Sequence, residues 1–420
     1  MNLHDPIGTG KLWALMARTS GPLEVAIGLI DGPIARAKQE LNKLKRMIYH
    51  WVVLASLMAM LTCFGRGAEP LKIGMVVTLT GAAAEPGRYE AQCAKLAAEE
   101  VNKAGGVLDR PIELVIEDSQ STNPGAVLAF SKLTGDKDIP AFIGPIFSTQ
   151  IQAMAPDIQR ISKPVMIGGT DPHLTHMGNQ WLFRFRPSDT YSARVIADYG
   201  VKTLGKKKWA IVYSTEAFGT NGMKNLVESL KGMGVEPALV QGYTNNSQDF
   251  TPVVLAVKQS GADVMGTYMP FPPDLAIFAR QLRQLGVNIA WVGSPSTVGT
   301  TALRLAGPAL YGSYAVSDFA ADSSPAAKEF AIKYEANYKS APDLYGAWAY
   351  DAARVLALAI DNAKSLEPQK IREAILSVKD YPGVEGTYNF DQNGDGLHSY
   401  NVVKNDSGKI VFIKHIDFSE

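Results

Sequence analysis

Cysteine is almost missing: 420 residues carry only Cys63 and Cys93, too few for a cysteine-built scaffold or a multi-thiolate metal centre. Charge bias is missing too. Lys+Arg and Asp+Glu stand at 41 each, which excludes nucleic acid or an acidic membrane surface as a general partner. The longest apolar stretch, Ile48 to Leu61, is too short for a comfortable membrane span. No catalytic constellation stands out either. Gly8-Thr-Gly10-Lys11 lacks the first glycine of a phosphate loop, and Ser148 lacks the flanking glycines of a nucleophile elbow. His173 and His176 have no third ligand beside them, so no metal and no cofactor is expected. Asp391-Gln-Asn393-Gly-Asp395-Gly396 opens like a calcium loop, but its twelfth position is Val402 rather than Glu; it reads as a hairpin turn.

What is present begins with an export pattern. Lys43, Lys45 and Arg46 form a basic end, Ile48 to Leu61 an apolar stretch, and Gly65-Arg66-Gly67 a small-residue exit. Residues 1–46 then read as a non-native extension or misassigned start, and 47–67 as a signal peptide beginning at Met47. Met60-Leu61-Thr62 departs from the small residues that precede a lipidated cysteine. A soluble exported protein is expected, with lipid anchoring at Cys63 as the alternative. Cys93, set among Tyr89, Leu96, Ala97 and Val101 at helical spacing, reads as a buried thiol.

From Leu71 onward, Val- and Ile-rich runs alternate with stretches of helical period, the signature of βαβ units and a parallel sheet. Strands are expected at Leu71 to Val77, Ile112 to Glu117, Ala141 to Ile146 and Pro164 to Gly169, with helices at Gly87 to Lys103, Pro124 to Leu133 and Ser148 to Arg160. A second series follows at Trp209 to Tyr213, Pro237 to Val240, Asp263 to Met269 and Ile289 to Val292. The extended run Trp181 to Pro187 reads as the connection between two lobes. Helices near Ser324 to Tyr338, Gly346 to Lys364 and Pro368 to Val378 precede a hairpin-like tail. The fold class is α/β: two Rossmann-like, doubly wound parallel-sheet lobes joined by a multi-strand hinge, with a cleft between them.

The segment Ala141 to Thr170 carries the candidate site. Ser148 and Thr149 follow one strand and open a helix, whose unpaired N–H groups and positive dipole end attract an anion. Thr170 follows the next strand, behind Gly168 and Gly169, which allow close backbone approach. In a parallel sheet that edge is where ligands bind.

The chain from Leu71 to about Tyr400 resembles the Leu/Ile/Val-binding protein family of ABC-transporter solute receptors, which share the type I periplasmic-binding fold. The resemblance rests on Lys72-Ile-Gly74 with Thr80-Gly81, the helix end Ala98 to Gly106, Ile112 to Asp118, the Gly144 to Ser148 turn, and Pro164 to Thr170. Phe183-Arg184, Ala217-Phe218-Gly219 and Tyr350-Asp351-Ala352 extend it. It implies an N-terminal lobe of 71–188 plus about 321–383, and a C-terminal lobe of 189–320 plus about 384–420. It implies no enzyme but a periplasmic, monomeric receptor that closes on a small carboxylate and delivers it to membrane permease subunits. A sensor signalling to a membrane kinase or chemoreceptor is the alternative.

In that family the positions of Ser148 and Thr170 hold the ligand's α-carboxylate, and that of Gly168 offers a carbonyl. Thr149, Gly169, Phe218, Tyr268, Phe271, Tyr345 and Pro86 complete the expected contacts. The acid that grips an α-ammonium in the amino-acid binders falls on Phe271, with Asp274 and Asp189 as the nearby alternatives. A buried ammonium without a carboxylate is costly, so the expected ligand is an ammonium-free acid with an apolar or aromatic body, with an amino acid as the alternative.

Overall fold

A computed structural model describes residues 36–56 and 68–418. The chain divides into two units, Met1–Gly67 and Ala68–Glu420. In the first, residues 36–56 form a helix, α1, that takes in the basic end and much of the apolar stretch of the export pattern. Among the described residues no helix is long and apolar enough to cross a membrane. Cys63, the Gly65–Gly67 exit and the Gly8–Lys11 run lie outside the described residues.

The second unit is built from alternating strands and helices. Its first half runs β1 (Leu71–Val77), α2 (Ala84–Lys103), β2 (Ile112–Asp118), α3 (Asn123–Gly135), β3 (Phe142–Ile143), α4 (Ser148–Ile161), β4 (Val165–Ile167) and β5 (Leu182–Arg184). These strands form a five-stranded sheet in the order β2-β1-β3-β4-β5, parallel throughout. A parallel sheet covered by helices on both faces needs strands that are apolar on both sides, and β1, β3, β4 and β5 are buried almost without exception.

The chain continues through α5 (Asp189–Asp198), β6 (Trp209–Ser214), α6 (Ala217–Gly232), β7 (Leu239–Tyr243), α7 (Thr251–Ser260), β8 (Val264–Tyr268), α8 (Pro272–Gln284), β9 (Ala290–Gly293), α9 (Thr300–Ala306) and β10 (Tyr314–Ser317). Then come α10 (Pro325–Tyr338), α11 (Leu344–Ala363), α12 (Pro368–Leu376), the short strands β11 (Tyr381–Pro382) and β12 (Thr387–Tyr388), and the hairpin β13 (Ser399–Asp406) with β14 (Lys409–Asp417). The second sheet has the order β14-β13-β10-β9-β8-β6-β7. Its members from β10 to β7 are parallel, and the tail hairpin adds two antiparallel strands at one edge. Helix α11 packs along α2 of the first sheet and buries Trp348, so the chain returns to the first layer before ending in the second.

Three local expectations are corrected. The third strand is two residues long rather than six, because Gly144 takes φ +89° and Pro145 has no N–H to give to a ladder. The run Trp181–Pro187 is more than a connection: Leu182–Arg184 is the edge strand of the first sheet, with Met166 opposite Phe183. The turn Asp391–Gly396 joins β12 to β13 rather than two paired strands, and it docks on that edge. The Arg184 N–H donates to the Gly394 carbonyl at 2.8 Å, and the Gly396 N–H to the Arg184 carbonyl at 3.0 Å. Below them the Asp395 carboxylate receives both Nε and Nη2 of buried Arg184 at 3.0 and 2.6 Å, a bidentate pair between residues 211 positions apart.

Candidate ligand-binding site

Both sheets change winding direction at an internal strand pair, β1/β3 in one and β6/β8 in the other. Ligands bind outside the carboxyl ends of strands at such points. The cavity lies where the two edges meet. From the first sheet come Ile146, Phe147 and Ser148 after β3, Thr170 after β4 and Arg186 after β5; from the second come Phe218 after β6, Pro270 after β8, and Pro295 and Ser296 after β9. Tyr345, at the start of α11, closes one wall. The cavity's empty space is about 350 Å³ when the solvent at its open mouth is included.

Ser148 is buried at the first position of α4, a 14-residue helix whose opening N–H groups have no intrahelical carbonyl to meet. Its Oγ accepts the Asp171 N–H at 3.3 Å, which leaves its own proton for a ligand. Thr170 differs. Its hydroxyl donates to Asp189 Oδ2 at 2.7 Å, and Asp189 Oδ1 accepts from Ser192 Oγ at 2.9 Å. Ser192 Oγ lies 2.8 Å from the Tyr268 hydroxyl, so the relay runs from a site residue on the first sheet to the end of β8 on the second. Burial raises the Asp189 carboxyl from 3.8 to about 7, against the opposing hydrogen bonds of Thr170 and Ser192.

Arg186 is 6% exposed, yet it is one of the residues lining the cavity. Its Nε donates to Asp318 Oδ2, and its Nη1 to the Gly168 carbonyl at 3.3 Å. Burial alone would pull the guanidinium's pKa down; the Asp318 carboxylate outweighs it and holds the proton on. Tyr345 donates its N–H backbone group to Asp343 Oδ1 at 2.8 Å, while its buried hydroxyl has no partner. Ser296 Oγ lies 2.9 Å from Ser294 Oγ.

Of the residues expected from sequence, Ser148, Thr170, Phe218 and Tyr345 come together at this cavity. The others stand back from it for identifiable reasons. Thr149 turns to the neighbouring helix and accepts Asn123 Nδ2 at 3.0 Å. Gly168 and Gly169 make room for protein rather than ligand: a Cβ on Gly168 would lie 2.7 Å from the Trp348 ring, and one on Gly169 2.5 Å from Ile151. Tyr268 is fully buried behind Phe218, with ring centroids 5.5 Å apart. Phe271 packs edge-on against Phe147 at 5.4 Å, joining the two edges beside the cavity. Pro86 is buried in the first turn of α2.

Sequence reasoning missed Ile146, Phe147, Arg186, Pro270, Pro295 and Ser296. Each sits just past a strand's carboxyl end, and strand-end position was the available signal. The alternatives for an ammonium partner are also resolved in space. Asp274 accepts the Asn246 N–H at 2.9 Å, is pushed up to about 6 by burial, and lies off the cavity wall. Asp189 is engaged by Thr170 and Ser192, and among the described residues no Asp or Glu lines the cavity. His176 Nδ1 lies 3.0 Å from the Pro172 carbonyl, and among the described residues no group of His, Cys, Asp and Glu is arranged to hold a metal. Cys93 is fully buried, and burial raises its thiol.

Known proteins share this architecture. A family model described as "Periplasmic binding protein" matches residues 70–409. A leucine-, isoleucine-, valine-, threonine- and alanine-binding protein of Pseudomonas aeruginosa is 25% identical over 335 residues, 79% of this chain and 88% of its own. Among solved structures, a leucine binding protein from Thermotoga maritima superposes with a TM-score of 0.77 at 25% identity, covering 83% of this chain and 99% of its own. An ABC-transporter solute binding protein from Rhodopseudomonas palustris, solved with benzoate, gives 0.76 at 18% identity, covering 83% and 98%. Two parallel-sheet lobes with a cavity at their facing carboxyl edges, and a family match over most of the chain, place this protein in the periplasmic binding protein family, among the relatives of the Leu/Ile/Val-binding proteins.

Proposed function

We propose that this chain is the substrate-binding component of a branched-chain-amino-acid-type ABC transporter, and that its ligand is a small carboxylic acid without an ammonium group. The lobes, 71–188 with about 321–383 and 189–320 with about 384–420, close on that acid by a hinge and present it to membrane permease subunits. The observation that carries the ligand reading is the make-up of the cavity wall. It offers an anion the Ser148 hydroxyl at a helix N-terminus and a buried guanidinium, and it offers a cation no carboxylate. The fold by itself does not choose, since one structural neighbour is a leucine binding protein and another holds benzoate. The make-up of the wall supports the acid: burying an ammonium there would strip its hydration with nothing to replace it.

Micromolar capture needs roughly −8 kcal/mol, within reach of a hydrogen-bonded carboxylate and an apolar wall. A thermal-shift screen of the purified chain tests the reading, because a ligand that binds only the folded protein raises its melting temperature. Benzoate-like and aliphatic acids should raise it more than the twenty amino acids do. A screen in which leucine, isoleucine and valine give the largest shifts would overturn the ligand class, and no shift from any acid would overturn the binding function.

A further inference from the structure

We infer that Arg186 is the charged partner of the ligand's carboxylate and the residue that sets the cavity's preference for anions over zwitterions. The assignment rests on the binding function proposed above and names the residue that decides specificity within that site.

Arg186 and Asp318 form a buried pair, but only one member reaches the cavity. Arg186 lines the wall; Asp318, 1% exposed, is not among the lining residues. A ligand therefore meets the positive end of the pair. The side chain is also fixed in advance, through Nε on Asp318 and Nη1 on the Gly168 carbonyl, so little rotamer freedom remains to be lost on binding. The planar fork of N–H donors matches a carboxylate, which a single hydroxyl does less well.

Two further observations point the same way. Thr170 has one hydroxyl proton and directs it to Asp189, so the pair of hydroxyls visible in the sequence supplies one free donor, that of Ser148. A ligand carboxylate needs more than that. Independently, Tyr345 lines the same wall, and its buried hydroxyl has no partner among the described residues. Glu90 and Glu385 are buried with both oxygens unpartnered among the described residues, and burial raises each well above the usual carboxylate range.

The test is titration calorimetry with phenylacetate, phenylacetamide and phenylglycine, on the wild-type chain and on the double variant Arg186→Gln/Asp318→Asn. The double variant removes both charges and leaves no lone buried carboxylate. The wild type should bind phenylacetate at least about tenfold more tightly than either the amide or the zwitterion, the scale of one charged hydrogen bond. In the double variant the acid-over-amide preference should shrink by a similar factor, whereas Ser148→Ala should weaken acid and amide together and leave the zwitterion disfavoured. A folded double variant that keeps the wild-type ratio would show that the pair is purely structural. If the double variant does not fold, the wild-type arm decides: phenylglycine binding as tightly as phenylacetate overturns the assignment. Failure of every acid to bind the wild type is a different result, because it removes the proposed function itself.

Discussion

The one hydroxyl proton of Thr170 goes to Asp189, and that single bond changes what the residues of this site can do. Ser148 becomes the hydroxyl donor left for a ligand, so Ser148→Ala should weaken carboxylate binding by about 1–3 kcal/mol, the usual worth of a hydrogen bond to a charged group. Calorimetry on a folded variant with an unchanged melting temperature would read this directly. Asp189 itself makes a second expectation. Buried against Thr170 and Ser192, and facing Arg186, Asp171, Tyr268 and Tyr400, it holds its proton from its ordinary 3.8 up to about 7. The unfolded chain releases that proton near pH 4, so between about pH 4 and 7 the folded state binds the extra proton. Stability then falls as pH rises through that window and levels off above it. Asp351 is raised to about 7 and Asp274 to about 6, adding slopes of the same sign, so the informative quantity is the difference between wild type and Asp189→Asn. Urea unfolding at stepped pH should show a shallower decline in the variant; parallel curves would contradict this account of Asp189.

At the level of elements, the two lobes repeat one construction detail. Helix α2 approaches β1 so closely that a Cβ on Gly87 would lie 1.6 Å from the Thr78 carbonyl oxygen, and in the second lobe a Cβ on Gly219 of α6 would lie 2.0 Å from that of Ser214. Backbone cannot yield as a flexible side chain can. Gly87→Ala should therefore cost more than about 2 kcal/mol, in the upper range for overpacked positions, with chemical denaturation as the readout. The alternation of Val/Ile runs with helical periods was legible because both signals are local: β1, β6, α4 and α12 fall within a few residues of their expected bounds. What was not legible depends on partners far along the chain. The Asp391–Gly396 turn looked like a hairpin because its Asn-Gly and Asp-Gly pairs favour one, and nothing local announces that Arg184 waits 211 positions earlier. Arg186 was hidden for the same reason. In sequence it is one arginine in an extended run, and nothing local announces its ion pair with Asp318, 132 positions later.

For the molecule as a whole, these details amount to two edges held together around a small, mostly apolar cavity. Phe147 and Phe271 meet across the cleft, and Glu85 at the start of α2 pairs with Arg304 of α9. The ion pair is partly exposed, and such pairs are worth about 0–1 kcal/mol, so Glu85→Ala should weaken ligand affinity by no more than about fivefold. That loss should shrink further in high salt, whereas Phe271→Ala should weaken binding by more and show no such salt dependence. The central claim concerns what the cavity accepts: an acid, with no place for an ammonium. Leucine and 4-methylpentanoate differ only in that group. Calorimetric titration of the purified chain with each is the most direct measurement. The account predicts that 4-methylpentanoate binds at least about tenfold more tightly. Leucine binding as tightly or more so would contradict it.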